Sequence, residues 1–382
     1  MSEPKINSPR VEIDAIDSEI LRLLNKRAEI ALRVGAAKKD VDSSLCDPKR
    51  ETEVLDRLTK ENSGPFDEQS VANIFQRIID ESLSLQQKTY RQPLELPEES
   101  AELSHLAGKS RVAFQGEHGS FSEAATLGIM GKDCQTVPCR TFEDLYKAID
   151  LGKADYILTP LENSLVGSVH RCYDLLLHSS LNIVGEIILP ISHFLIAAPD
   201  ATFETIKTVE SHPVALAQCE RFFAGHPHLK GLAADDTAGS VKRVVESNDA
   251  TRAAIGGKRT AEIYGGKILR EHIEDHTENY TRFALLSPKA DEQNKGSKIS
   301  LVVRLDNKPG ALHSALRPFV RRNIDLLKIE SRPIKDAPSQ FNFYFDLQAP
   351  ANESELRGAL EEIGEIAVAV RNLGRYSSIK GS

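Results

Sequence analysis

Tryptophan is absent from the 382 residues, methionine occurs twice and cysteine five times. The thiols, Cys46, Cys134, Cys139, Cys172 and Cys219, are odd in number, scattered, and form no C-x-x-C pair. That spacing disfavours a disulfide framework and a structural zinc site. The cysteines read as small apolar residues in a reducing compartment. No apolar run approaches the ~18 residues a membrane helix needs. The opening MSEPKINSPR lacks the hydrophobic stretch of a signal peptide. A basic excess is missing too: 48 Lys+Arg against 56 Asp+Glu leaves a net charge of −8. That balance argues against a dedicated nucleic-acid binder. The GxSxG, Walker A and full dinucleotide fingerprints are not found, so a Ser or Cys nucleophile has little support. A soluble, cytoplasmic protein is expected, with no metal, no cofactor, no membrane partner and no nucleic acid.

What is present is organised in three textures. Hydrophobic residues make up 40% of the chain, enough for real cores. At about 150 residues per domain the length suggests two or three domains. Of 23 glycines only Gly35 and Gly64 fall within residues 1–90. That scarcity marks an all-helical domain over residues 1–92. Residues 93–109, with two prolines and four glutamates, read as a linker. Residues 110–288 alternate β-rich runs, helical stretches and Gly turns, the pattern of an α/β domain. A second polar linker covers 289–297, and a small α+β unit covers 298–378.

In the helical domain Ile13, Ile16, Ile20, Leu23, Arg27, Ile30, Val34 and Ala37 are spaced 3, 4, 3, 4, 3, 4, 3. This is a heptad-like seam along one long helix with a helical partner. Arg27 is a permanent cation on that seam, and burying it unpaired is costly. Lys38 follows eleven residues later, within ~20° of the same face. A structural ion pair with a carboxylate of another helix is one explanation. A small dianion held inside the bundle is the other. Asp47-Pro48 reads as an N-cap and first turn, placing Asp47, Arg50 and Glu51 on one face. A third helix beginning near Asp67 carries Val71, Ile74, Phe75 and Ile78 toward Ser82 and Gln86, again four apart. Arg10 precedes Arg27 by seventeen residues, ~25 Å along a helix and ~100° around it. Both cannot easily reach one small ligand in one chain, so an intertwined dimer is expected, with Arg10 serving the partner's site.

In the α/β domain a strand at Val112–Phe114 is followed by Gly116, Gly119 and Ser120. Ser120 and Glu123 have capping-box spacing. A second strand, Tyr156–Thr159, is expected to end in a turn at Pro160-Leu161-Glu162-Asn163-Ser164. A strand over Ile183–Ala197 precedes Ser211-His212-Pro213 and Gln218. Ala253–Ile255 runs into Gly256-Gly257, and Asn279-Tyr280-Thr281-Arg282-Phe283 runs into Ala284–Leu286. Composition supports an α/β domain that binds a small polar ligand. In the tail, strands at Ile299–Leu305, Ile324–Ile329, Phe341–Leu347 and Val368–Leu373 and helices at Ala311–Val320 and Glu353–Ile363 give a βαββαβ, ferredoxin-like order. Pro309-Gly310-Ala311-Leu312 sits at a strand-to-helix turn, and Glu330-Ser331-Arg332-Pro333 is expected to follow the second strand.

Residues 5–90 resemble the all-helical chorismate mutase domain at the front of bifunctional chorismate mutase–prephenate dehydratases. The resemblance implies that Arg10, Arg27 and Arg50 bind carboxylates and that Lys38 and Gln86 contact the breaking ether oxygen. It implies that Asp47 and Glu51 surround the ring hydroxyl and that Ser82 lies near a carboxylate. Chorismate to prephenate is a pericyclic step. Holding the compact conformer and placing donors on the ether oxygen are what an enzyme can supply. Arginines suit planar carboxylates, and Glu51 is expected to act protonated. GEHGSFSEAA, ADYILTPLENSLVGSV, SHPVALAQC, DDTAGS and NYTRF are similar to the ordered motifs of prephenate dehydratase over about 110–287. That similarity implies two α/β lobes, related to periplasmic binding proteins, with prephenate in the cleft. It implies Thr281 as the catalytic threonine and Glu162, Asn163, Ser211 and Gln218 at the active site, with Glu162 or a water moving the proton. Ser120 and Thr237 would lie in loops facing the cleft, and Arg282 would anchor a carboxylate. The tail resembles the ACT regulatory domain in its phenylalanine-binding form, with Gly310, Ala311, Leu312, Glu330 and Ser331 at the effector site. The expectation is a homo-oligomer, dimer or tetramer, that makes phenylpyruvate and is inhibited by phenylalanine. Two rivals stay open: an arogenate dehydratase fused to a chorismate mutase, and a non-catalytic amino-acid-binding regulator.

Overall fold

A computed structural model describes residues 4–40, 45–90, 109–291, 295–334, 337–350 and 352–381. The linker expected at 93–109 lies almost wholly outside the described residues. The chain opens with α1 (Pro4–Asp40), α2 (Pro48–Glu61) and α3 (Glu68–Tyr90). The α/β region follows with β1 (Arg111–Gln115), α4 (Phe121–Met130), β2 (Gln135–Cys139), α5 (Phe142–Asp150), β3 (Tyr156–Asn163), β4 (Gly167–Ser168), α6 (His170–His178), β5 (Asn182–Pro190) and β6 (Phe194–Ala197). It continues with β7 (Thr208–Ser211), α7 (Pro213–Ala217), α8 (Glu220–Gly225), β8 (Lys230–Ala233), α9 (Thr237–Ser247), β9 (Arg252–Gly256), α10 (Lys258–Tyr264), β10 (Lys267–Arg270) and β11 (Tyr280–Ser287). The tail holds β12 (Lys298–Asp306), α11 (Ala311–Arg321), β13 (Leu326–Ile334), β14 (Ala337–Gln348), α12 (Glu353–Ile366), β15 (Ala369–Tyr376) and β16 (Ser378–Lys380). Two compact units form. One takes the N-terminal helices with Val303–Phe343 and Pro350–Val370; the other takes the α/β region with Tyr344–Ala349 and the stretch from Arg371.

The helical unit follows its sequence signals. Asp47 caps α2, its carboxylate accepting the Arg50 N–H at 3.1 Å, with Pro48 in the first turn. The pairing of a capping acid with a proline that needs no N–H partner fixes that start. The apolar seam of α1 is largely uncovered within one chain: Ile13 is 55% exposed and Ile16 58%.

In the α/β region the larger sheet runs β16-β5-β11-β3-β1-β2, with β4 paired to β3. The smaller runs β10-β6-β9-β7-β8. Both faces of the larger sheet are buried, which explains its continuous apolar runs. Ala113, Ile157 and Leu286 pack on one side while Val112, Leu158 and Leu285 pack on the other. β1 lies parallel between β2 and β3, and β7 lies parallel between β8 and β9. The carboxyl ends of such central strands are where open α/β sheets bind ligands.

Three sequence expectations are corrected. The run Ile183–Ala197 is two strands, not one: β5 belongs to the larger sheet and β6 to the smaller, and Ile191-Ser192-His193 carries the chain between them. Pro160–Asn163 is not a turn. β3 continues through it, and the register against β11 slips between Arg282 and Phe283, leaving Leu161 as the extra residue of a bulge. Pairing to β1 ends at Leu158, and a proline is tolerated in a strand at such a bulge. Glu330 and Ser331 lie inside β13 rather than after it; alternation leaves Glu330 half-buried and Ser331 exposed. The tail sheet has the order β13-β14-β12-β15, the ferredoxin-like arrangement expected from βαββαβ.

Candidate active sites

The three N-terminal helices enclose a cavity of about 390 Å³. Its walls include Arg27, Lys38, Asp47, Arg50, Glu51, Ser82 and Gln86. Arg10 does not line it; that side chain is exposed near the start of α1. Arg27 is half-buried and donates to the Ser82 hydroxyl at 2.5 Å and the Ile78 carbonyl at 3.4 Å. Both partners are neutral, so among the described residues the carboxylate pair, one of the two explanations for the seam cation, is not found. Desolvation shifts its pKa down, as burial of a cation does. Lys38 donates to the Leu45 carbonyl at 3.0 Å and stands 3.9 Å from Asp47. Gln86, nearly buried, donates its amide to the Ala31 carbonyl. Glu51 meets Arg321 of α11, and Asp80 lies 3.7 Å from the same guanidinium. Burial pushes the Glu51 carboxyl up; Arg321 opposes that shift and Asp80 adds to it.

The second constellation begins at the β3–β11 pair, where Asn163 stands across from Thr281. The Asn163 carboxamide oxygen accepts the N–H groups of Leu165 and Val166 at 3.0 and 3.1 Å. That fixes the amide orientation and turns its NH2 toward Thr281 Oγ1 at 3.0 Å and Asn279 Oδ1 at 2.8 Å. Asn279, fully buried, donates to Gln218 Oε1 at 3.2 Å. Gln218 Oε1 also takes a hydrogen bond from His193 Nε2 at 2.8 Å. An amide oxygen only accepts, so Nε2 carries the proton, and burial holds the His193 pKa down. Sequence reasoning missed Asn279 and His193. Asn279 sat within the quoted NYTRF motif, and His193, with Glu186 and Ser192, was one of three polar residues in what read as one apolar strand.

Ser120, Ser211 and Thr237 stand at carboxyl ends of strands or the helix starts that follow them. Ser120 caps α4, accepting the Glu123 N–H at 3.3 Å. The Glu123 carboxylate reaches back to Gly119 rather than Ser120, at 2.7 Å. Gly119 has φ +85°, and a Cβ there would lie 2.9 Å from the Thr260 Cα, so only glycine allows this loop to meet α10. Ser211 ends β7, is buried, and donates to the Ile255 carbonyl at 2.9 Å. Thr237 opens α9, with Asp236 as its cap.

Two expectations fail on strand alternation. Thr281 and Arg282 are neighbours on β11, so their side chains face opposite sides of the sheet. Arg282 is buried against Glu186 and Asp346 and is not a carboxylate anchor beside Thr281. Glu162 stands across from Arg282 in the register, so Asn163 and not Glu162 shares the Thr281 side. In the tail Gly310 caps α11 with φ +81°, a left-handed conformation glycine adopts without strain, and Ala311 and Leu312 form the first turn.

A helical cavity lined by cations, a two-lobed α/β region and a ferredoxin-like tail define a multidomain enzyme with a regulatory module. The chain matches the chorismate mutase type II model over residues 9–87, the prephenate dehydratase model over 112–291 and the ACT domain model over 299–366. The bifunctional chorismate mutase/prephenate dehydratase of Neisseria gonorrhoeae is 35% identical over 96% of this chain and 95% of its own length. The protein of the same name from Escherichia coli K12 is 33% identical over 99% and 97%. The prephenate dehydratase of Arthrobacter aurescens in complex with L-Phe aligns at TM-score 0.64 and 32% identity, over 70% of this chain and 90% of that one. A protein described as a novel type of quorum quenching acylase aligns at TM-score 0.65 and 30% identity, over 70% and 98%. The chain belongs to the family of bifunctional chorismate mutase/prephenate dehydratases and is an enzyme with both activities. No helix among the described residues is long and apolar enough to cross a membrane.

Proposed function

We propose that the cavity of α1–α3 rearranges chorismate to prephenate, and that the cleft around Thr281 turns prephenate into phenylpyruvate under feedback from phenylalanine. The observation that carries the first step is Arg27, a half-buried cation in a cavity wall whose partners are a hydroxyl and a carbonyl. A dianionic ligand supplies the missing charge. Arg27 and Arg50 hold its carboxylates, with Ser82 steering Arg27. Lys38 and Gln86 donate to the ether oxygen as negative charge builds there. Asp47 and Glu51 lie toward the ring hydroxyl. Arg10 enters from a second chain, and the exposed apolar residues of α1 support that homodimer, with a tetramer as the larger alternative.

In the second step the bond to the ring carboxylate breaks, its electron pair aromatises the ring, and the ring hydroxyl departs. The products are phenylpyruvate, carbon dioxide and water. Asn163 donates to Thr281 Oγ1, which leaves the threonine proton to point at the departing hydroxyl. Gln218, its oxygen already engaged by His193 and Asn279, has its amide nitrogen left to orient the substrate. Ser120, Ser211 and Thr237 border the cleft at strand carboxyl ends. Phenylalanine binds at Gly310, Ala311 and Leu312 with Glu330 and Ser331, near the edge strand β13 of paired ACT domains. We place the domains at 1–92, 110–288 and 298–378, and the enzyme in the cytoplasm.

One time course tests the whole reading. Purified protein is given chorismate, and prephenate and phenylpyruvate are followed with and without phenylalanine. Phenylpyruvate formation suppressed by phenylalanine is the expected result. Prephenate accumulating without phenylpyruvate would reject the second step and turn attention to arogenate. Phenylalanine binding with no turnover would reject both steps.

A further inference from the structure

Arg282 lies one residue, about 3.8 Å of backbone, beyond Thr281. Its guanidinium is held on the opposite side of the sheet by Glu186 of β5, by Asp346 of β14 at 2.5 Å, and by the Tyr376 hydroxyl of β15 at 3.0 Å. Ser300 of β12 donates to Asp346 at 2.5 Å and meets the Tyr376 hydroxyl at 2.7 Å. Lys298, also of β12, lies 2.5 Å from Glu186. Two cations and two carboxylates thus balance, and the side chains of Arg282 and Glu186 are 11% and 0% exposed. Two strands of the C-terminal sheet, β14 and β15, send a polar group to the residue that follows Thr281, and a third, β12, braces the partners of that residue through Ser300 and Lys298.

We propose that Arg282 is a positioning residue of the dehydratase, through which Asp346 and Tyr376 of the C-terminal strands set where β11 holds Thr281. The proposal rests on reading the α/β region as the dehydratase and the tail as its phenylalanine sensor. A planar guanidinium bound to two carboxylates cannot turn without breaking charge-assisted hydrogen bonds. The surroundings are packed and nearly dry, so a displacement of β12 and β14 moves β11 rather than being absorbed. An effector that favours one placement of those strands therefore favours one placement of Thr281, and this differential affinity is what inhibition requires. The cluster also explains an arginine in the triplet that does not face the Asn163 side: it acts on Thr281 from behind.

The test uses the full-length enzyme with Asp346→Asn and, separately, Tyr376→Phe. Asparagine keeps the size of Asp346 and an acceptor for Ser300 but drops the charge; phenylalanine removes a single hydroxyl. Dehydratase kcat is expected to change at least threefold with KM within twofold. The phenylalanine concentration for half-inhibition should rise at least tenfold while calorimetry still detects phenylalanine binding. Chorismate turnover by the same chains should be unchanged. Wild-type kcat and inhibition in both variants would overturn the proposal. So would a parallel loss of mutase turnover, dehydratase turnover and melting temperature, which would make the cluster structural glue. If Asp346→Asn does not fold, Tyr376→Phe decides on the same readouts. A wild-type enzyme that ignores phenylalanine or prephenate would sink the underlying reading instead, before any variant is compared.

Discussion

At the residue scale Glu51 is the most informative side chain of the mutase cavity. Burial pushes its carboxyl up, Arg321 pulls against that shift, and Asp80 reinforces it. With a native pKa above the unfolded one, Glu51 keeps its proton longer when folded. Its contribution to stability therefore falls as pH rises from the unfolded value through the native one. The same shift favours a protonated Glu51 that donates to the substrate hydroxyl. Mutase kcat/KM is then expected to fall as pH rises through that window, and Glu51→Gln should flatten the profile. A wild-type and a Glu51→Gln profile of identical shape would reject the protonated role. Asn163 makes a second prediction. Its oxygen is pinned by two backbone N–H groups, so only its amide nitrogen reaches Thr281. Asn163→Ala should lower dehydratase kcat by on the order of 10²-fold, as loss of a group that orients an acid does. The single-turnover rate with prephenate would measure it; a change confined to KM would contradict it. Residue types were legible here because a cation on an apolar seam is costly wherever it lies. What each cation meets was not, because Ser82 reaches Arg27 from a helix 55 positions away.

At the element scale, period was readable and continuity was not. The 3.5-residue seam gave α1, and Asp47-Pro48 gave the start of α2, because both signals are local. The break at Ile191-Ser192-His193 had a local signal in Pro190, which ends β5, but the apolar runs on both sides of it read as one strand because which of two sheets each half joins is a tertiary choice. Proline at 160 suggested a turn, yet β11 supplies pairing on one side and a bulge absorbs the misfit. Alternation along β11 was available from sequence and would have separated Thr281 from Arg282; their adjacency in a motif obscured it. An element-scale prediction concerns α11. Arg321 at its C-terminal end is 7% exposed and meets Glu51, Asp80 and Glu362. Removing one partner of a buried ion cluster leaves uncompensated charge and costs about 3–5 kcal/mol. Arg321→Leu is expected to lower the denaturant midpoint of the full chain, and an unchanged midpoint in urea would show the cluster to be worth little.

At the scale of the whole molecule the proposed mutase site draws on two chains. Arg10 sits on α1 seventeen residues before Arg27, so about 25 Å separates them along one continuous helix. The cavity accordingly lacks Arg10, while the seam carries exposed Ile13, Ile16 and Ile20. In the proposed homodimer a second α1 along that seam would cover the apolar residues and deliver its Arg10 to the first chain's cavity, and two-fold symmetry would make the exchange mutual. This arrangement has a quantitative consequence. Arg10→Ala and Arg27→Ala should each abolish mutase turnover when pure. In a mixed dimer the cavity with intact Arg27 receives intact Arg10 from the other chain, while the opposite cavity loses both. Unfolding and refolding an equimolar mixture makes half the dimers mixed, each with one whole site, so about a quarter of wild-type mutase activity should return. Dehydratase turnover should be the same in all samples, because Arg10 and Arg27 lie outside the prephenate dehydratase match at residues 112–291. Mixtures that stay inactive, or an active Arg10→Ala homodimer, would place Arg10 outside the site and leave the exposed seam of α1 without a catalytic reason to pair.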